Sequence, residues 1–296
     1  MGRRPRQNRK AAWLTGGLLF LIASGLVGIL SSDDGLPTSR PHLARIDLDG
    51  PILKADTMVE LIDRAREADS VRGVLLRVDS PGGGVGASQA IYEAVRRLAA
   101  DKPVAVSMGA MAASGGYMVS VAGDRLFALD STLTGSIGVI MMSSGVYPLL
   151  DKIGIEPRII KSGKLKDAGT PLRKMDEADR AYLQSMVDHL HEQFMELVAK
   201  ERGLSMEQVE PLADGRVFTG RQAKANGLVD ALGDRHAAES WLREQAGLGP
   251  QAPVRKLRPP EKWWGELMPE GMVRWANWML VPEPRFLYGS PAVLSR

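Results

Sequence analysis

The sequence predicts an α/β protein, a largely parallel sheet covered by helices, with a membrane-spanning helix ahead of it. Three observations lead there. Short apolar runs bounded by turn residues alternate with amphipathic stretches of helical period, the pattern of strands joined by crossover helices. The 296 residues, 44% hydrophobic and 25% charged, suffice for one full α/β core with appendages rather than two large cores. Residues 11–32 carry no charge.

In chain order, the basic start comes first: Arg3, Arg4, Arg6, Arg9 and Lys10 put five positive charges in the first ten residues. The chain holds 38 basic and 35 acidic side chains, so its basicity is local and gives no footprint for nucleic acid. The uncharged stretch that follows is long enough to cross a bilayer, for which about 20 apolar residues suffice, and longer than the apolar part of a cleavable signal. An uncleaved anchor is expected, although the small residues Ala23, Ser24 and Gly25 leave cleavage open. Basic residues stay on the cytoplasmic side, which places everything after Asp33 outside the cytoplasm. The expected division is 1–34 as basic terminus and anchor, 35–42 as linker, 43–245 as the core domain, and 246–296 as a proline- and tryptophan-rich tail. The chain has no cysteine, which excludes disulfides and thiol catalysis.

Within the core, runs at 43–48, 73–78, 104–108, 125–129, 137–142 and 158–161 read as strands, and 58–68, 87–99, 147–153 and 176–202 as helices. Ile91, Val95 and Leu98 fall at i, i+4 and i+7, and Leu183, Met186, Leu190 and Leu197 make a similar stripe.

The stretch "MAASGGY" places Ser114 between a strand and a helix, before Gly115 and Gly116. A serine needs a base and waiting oxyanion donors to act as a nucleophile. Here it could do so, or simply cap the helix. It is not a G-x-S-x-G elbow, since Ala112 replaces the first glycine. A second glycine cluster, "DSPGGGVG" from Asp79, follows the preceding strand, and its amides could hold an oxyanion or the main chain of an extended peptide. Gly82, Gly84 and Ala87 formally fit a dinucleotide fingerprint with Asp101 nineteen residues on, but that acid precedes the second strand instead of ending it.

The base is harder to find. His42, His189, His191 and His236 have no setting that suggests catalysis, and a surface or packing role is expected for each. A lysine can serve if burial disfavours its charged form. The stretch after the 158–161 run offers Lys161, Lys164 and Lys166.

"DSPGGGV", "MAASGGY", "LTGSIGVI", "SGKLKDAGTPLR" and "GRVFTGRQAKANGLVDALG" occur in this order, and together they closely resemble the signal peptide peptidase A family, the protease IV or S49 serine peptidases, over about 43–242. The resemblance implies a crotonase- or Clp-protease-like fold and a serine–lysine dyad. By motif position the serine is Ser114 and the lysine Lys166, with Lys164 as a competitor. Ser136 would orient the lysine amine, and the N–H groups of Gly83 and Gly115 would hold the oxyanion. Leu165 stands where the family commonly has tyrosine, which leaves Lys166 and Asp167 in register. The resemblance further implies peptide substrates such as cleaved signal peptides, a homo-oligomer, action at the bilayer, and no metal or organic cofactor. Two other classes compete: an inactive crotonase-like scaffold, disfavoured by the presence of both dyad residues, and a related protease that cuts membrane proteins.

The tail groups Trp263, Trp264, Trp275 and Trp278 with Met268, Met272, Met279 and Leu280. That composition suits a lipid interface, another subunit, or the chain's own core.

Overall fold

The computed structural model describes residues 40–259. The expected anchor at 11–32 and the tryptophan-rich tail lie outside the described residues, and among those described no helix is long and apolar enough to cross a membrane.

Buried apolar residues, alanine and methionine as well as valine, leucine and isoleucine, run through the first three strands, as in a sheet covered on both faces. The strands are β1 (His42–Asp49), β2 (Val71–Ser80) and β3 (Val104–Ala113). Helices α1 (Asp56–Glu67) and α2 (Val85–Asp101) make the crossovers, so β1 pairs with β2 and β2 with β3 in parallel. Ile62, Ala65, Ile91, Val95 and Leu98 bring one stripe of each helix onto the sheet and are fully shielded from water.

Strand β3 is the branch point. Its first half, Ala105–Ser107, pairs with β4 (Arg125–Ala128), and its second half, Met111–Ala113, pairs with β5 (Leu133–Gly135). Between the halves, Thr132 Oγ1 donates to Gly109 O at 2.8 Å, and Met111 N donates to Asp79 Oδ1 at 3.1 Å. The last turn of β3 is thereby carried toward β5, and Ser114 follows it into α3 (Gly115–Ser120).

Beyond β5 come α4 (Tyr147–Lys152) and the long α5 (Glu177–Arg202), then α6 (Met206–Val209), β6 (Val217–Thr219), α7 (Gly220–Ala225), β7 (Ala231–Leu232), α8 (Arg235–Gln245) and β8 (Val254–Lys256). The path through the sheet is β6-β5-β3-β2-β1-β8, with β4 and β7 on a side branch, and every pairing is parallel except β5 with β6. The expected α/β class with a largely parallel sheet is what the chain adopts.

Three local expectations need correction. Residues 137–142 and 158–161 form no strand, although their apolar spacing reads as one. Ile137 packs into the core, but beyond it no strand lies alongside: Ile140 is 81% exposed, Met142 87% and Ile160 fully so. In the opposite sense, the proline-rich stretch after 250 contains β8, which pairs with β1 through Leu43–Arg45 and extends the sheet.

Candidate active site

Ser114 stands at φ 53°, ψ −122°, on the positive side of φ where a residue with a Cβ is strained by about 1–3 kcal/mol. Backbone bonds on either side hold it there: Ser114 N donates to Gly135 O at 2.8 Å, and Ser114 O accepts from Met118 N at 2.9 Å. Although Ser114 occupies the cap position of α3, its hydroxyl makes no capping bond. The capping alternative is therefore not how this side chain is used. A sharp strand-to-helix turn presenting a serine is the geometry of a nucleophile elbow, reached here without that motif's first glycine.

The glycines around it are required by close approach. A Cβ on Gly82, itself at φ 94°, would lie 2.6 Å from Gly115 N; one on Gly115 would lie 2.2 Å from Ser88 Oγ; one on Gly116 would lie 2.8 Å from Ser80 O. The two glycine clusters are thus pressed together, backbone on backbone. The Gly82–Gly84 loop is pinned from behind by Ile52, whose N donates to Gly82 O and whose O accepts from Gly84 N, both at 2.9 Å. That bridge leaves the Gly83 N–H unused. It lies 3.3 Å from where a Gly115 Cβ would be, on the same side as the serine turn.

Ser114, Gly83 and Ser136 line one cavity of about 510 Å³, and Gly115 adjoins it. Ser136 is itself held at φ 50°, with its N donating to Arg216 O at 2.9 Å. The "GRVFTGRQ" stretch explains that contact: it forms β6 and the turn before it, pairing antiparallel with β5 so that Gly135 faces Val217. Gly220 packs so closely that a Cβ would meet Leu129 O at 2.0 Å. Tyr117, wholly buried, donates its hydroxyl to Leu228 O at 2.9 Å, tying α3 to the loop after α7, and burial pushes its phenol well above the ordinary range.

Lys166 is not part of this assembly. It is exposed, in a turn where its N donates to Gly163 O at 3.2 Å, and it does not line the cavity. What fixes that turn is its neighbour. Asp167 pairs with Lys161 and with Arg173, whose Nε reaches it at 2.8 Å, and Arg173 also binds the buried Asp179 of α5. Hydrogen bonds from Arg173 and Lys161 hold the Asp167 carboxyl well below the usual range, and Arg173 does the same for Asp179.

Four cavity residues escape the sequence reading: Gln184, Asp188 and His191 of α5, and Asp214. The signal was present, since 184, 188 and 191 recur at i, i+4 and i+7 and so share one helix face. His191, expected to have only a packing role, belongs to the wall of the Ser114 cavity. The Asp214 carboxyl is lowered to about 2 by hydrogen bonds from Arg216.

Comparison with known proteins gives the family. The sequence model of peptidase family S49 matches residues 96–249, and that of Clp protease matches 46–134. The chain belongs to peptidase family S49. A Synechocystis protein that carries a protease name is 37% identical over 72% of this chain and 77% of its own length. A protease-named protein of Methanocaldococcus jannaschii is 41% identical, covering 64% of this chain and 61% of that one. A protein of Enterococcus faecium named as a signal peptide peptidase is 38% identical over 63% of this chain and 55% of its own. The S49 match takes in Ser114, Ser136 and Lys166, and the Clp protease match takes in the two glycine clusters that form the nearer wall of the cavity.

Proposed function

We propose that this S49 chain is a serine endopeptidase in which Ser114 attacks the peptide carbonyl and Lys166 is the base. The observation that carries the reading is the strained, uncapped Ser114 turn, which faces a cavity alongside an unused Gly83 N–H. Neutral Lys166 takes the hydroxyl proton as the bond from Ser114 Oγ to the carbonyl carbon forms. The N–H groups of Gly83 and Gly115 take the oxyanion, and the ammonium then protonates the leaving amine. Water hydrolyses the acyl-enzyme with the lysine again acting as base. Ser136, across the same cavity, orients the amine.

Lys166 lies outside the cavity in the described chain, so the dyad needs either movement of the 138–175 segment or a second copy of the protein. The second route is favoured by the exposed side chains of Ile140, Met142, Leu149, Ile153 and Ile160, an apolar surface of the kind a partner covers. A homo-oligomer follows from this reading. Residues 11–32 would anchor it, with the catalytic domain outside the cytoplasm, and its substrates would be cleaved signal peptides or other short apolar segments at the membrane. Cleavage of intact membrane proteins is the rival substrate class.

A serine-directed fluorophosphonate tests the centre of the reading. It should label the native protein and leave Ser114→Ala unlabelled; labelling that survives Ser114→Ala would overturn it. For the anchor, protease added to intact spheroplasts should reach the catalytic domain. Release from membranes by high salt alone would contradict a spanning segment.

A further inference from the structure

The wall of the Ser114 cavity formed by α5 has no part in the chemistry above. Its charges are unbalanced. Asp214 is neutralised by Arg216, whose Nε lies 2.8 Å from each carboxylate oxygen. Asp188 has no such partner: among the described residues no lysine, arginine or histidine comes within ion-pair distance of it. Gln184 Nε2 donates to its Oδ1 at 2.7 Å, which orients the carboxylate and leaves Oδ2 unengaged. Among the described residues, no lysine or arginine lines the cavity. His191, one turn along, keeps its Nε2 shielded from water and bonded to nothing, so it does not pair with Asp188. Val85, Val139, Ile140 and Val187 add apolar side chains to a lining that is otherwise largely polar.

We propose that Asp188 selects peptides in which a lysine or arginine side chain lies close to the scissile bond, next to an apolar stretch. The inference rests on Ser114 being the nucleophile. A carboxylate with no counter-ion at the edge of the cavity attracts a cation and repels an anion, and because Asp188 is exposed the preference is modest and screened by salt. Val85, Val139 and Val187 can accept neighbouring apolar side chains, and the cavity of about 510 Å³ accommodates a few residues of an extended chain.

The test uses the full chain in detergent and a set of apolar peptides in which one residue, lysine, norleucine or glutamate, is walked through three positions on either side of the cleaved bond. At one position native protein should favour lysine over norleucine by about fivefold in kcat/KM, and disfavour glutamate. Asp188→Asn should bring the lysine-to-norleucine ratio to about one, Asp188→Glu should keep it, and 0.5 M salt should erode it in the native protein only. A purely structural role would slow all peptides equally and leave the ratio unmoved, which would overturn the proposal. An unchanged ratio with a displaced pH–rate profile would also overturn it, by showing that the carboxylate faces the base and not the substrate. Fluorophosphonate labelling of the same preparations separates the two levels. If native protein is labelled and the ratio does not respond, only the Asp188 inference falls; if native protein is not labelled, the nucleophile reading falls with it.

Discussion

The two halves of the proposed dyad sit in regions of opposite character. Ser114 lies where β2, β3 and their glycine loops meet, with Gly115–Ser120 buried behind it and backbone bonds on both sides. Lys166 lies in an irregular segment, 138–175, whose only helix is six residues long and buries none of them. The first region is completed by the chain itself. The second has polar contacts that fix its turn, yet it turns apolar side chains outward. The contrast teaches that the proposed nucleophile and oxyanion donors are positioned by the fold itself, whereas the proposed base would be delivered by a piece whose final surroundings are not within one described chain.

The largest effect should come from asking whether that contrast is real. Ser114→Ala and Lys166→Ala should each lower turnover by at least about 10³-fold, because neither residue works without the other. Lys166→Arg should do the same, since a guanidinium stays protonated. Lys164→Ala should keep substantial activity. If the base comes from a second copy, mixing the two inactive variants, Ser114→Ala and Lys166→Ala, under conditions of subunit exchange should restore part of the activity. Mixed sites there can hold one intact serine and one intact lysine. No recovery in demonstrably mixed oligomers would instead place the base in the same chain, by movement of its own segment.

The same contrast explains what could be read in the sequence. The strands of the rigid region are legible because each is a buried parallel strand between turn signals, and the pairing of β1, β2 and β3 follows from their crossover helices. Residues 137–142 and 158–161 carry equally good apolar patterns, but a strand needs a neighbour to bond to, and none is supplied by the described chain. Periodicity reports which faces are to be covered, not by what. The place of Asp188 and His191 in the cavity lining is hidden for another reason. A polar stripe on a long helix reads as a solvated face, and only the packing of α5 against the serine turn makes it a wall. Motif positions did bring out Ser114, Ser136 and Gly83, which the fold gathers in one cavity.

A second prediction probes the rigid half. Gly115→Ala would drive a methyl to 2.2 Å from Ser88 Oγ, and overpacking of this kind typically costs about 1–3 kcal/mol. The expected result is a lower melting temperature and a loss of roughly 10²-fold in kcat, as the donor beside Ser114 moves. Adding Ser88→Gly to that variant should recover much of both. Recovery of stability without activity would show that the Gly115 position matters for more than space.

The outlying half answers to charge instead. Arg173→Met should lower the melting temperature, because it strips the buried Asp179 carboxylate of α5 of its counter-ion, and should lower activity about tenfold by loosening the turn that carries Lys166. The sign of its pH dependence follows from the carboxylates. Asp167 and Asp179 are held below their ordinary value of 3.8, so their contribution is fully present above about pH 4 and is lost only as pH falls through their lower folded values. Limited proteolysis of the segment should therefore be flat from pH 7 to about 4 in the native protein and increase only below that. In Arg173→Met the segment should be cleaved readily across the whole range. A native segment that opens between pH 6 and 5 would show that some other group holds it.

The smallest effect, and the most discriminating, concerns Ser136. Its φ of 50° is costly for any residue with a Cβ, which glycine avoids. Two causes could account for a serine there: the hydroxyl is needed, or the position tolerates strain that the Arg216 contact and the β5–β6 pairing impose. Ser136→Gly relieves the strain and removes the hydroxyl; Ser136→Ala keeps the strain and removes the hydroxyl. If the hydroxyl orients the lysine amine, both variants should lose activity to a similar degree, about three- to tenfold, with kcat falling more than KM rises, while Ser136→Gly is the more stable. If only the backbone matters, Ser136→Gly should be as active as the native protein and Ser136→Ala should be too. Equal stability with unequal activity would fit neither cause. It would point to the cavity's shape at Ser136, where the side chain meets the substrate and not the base.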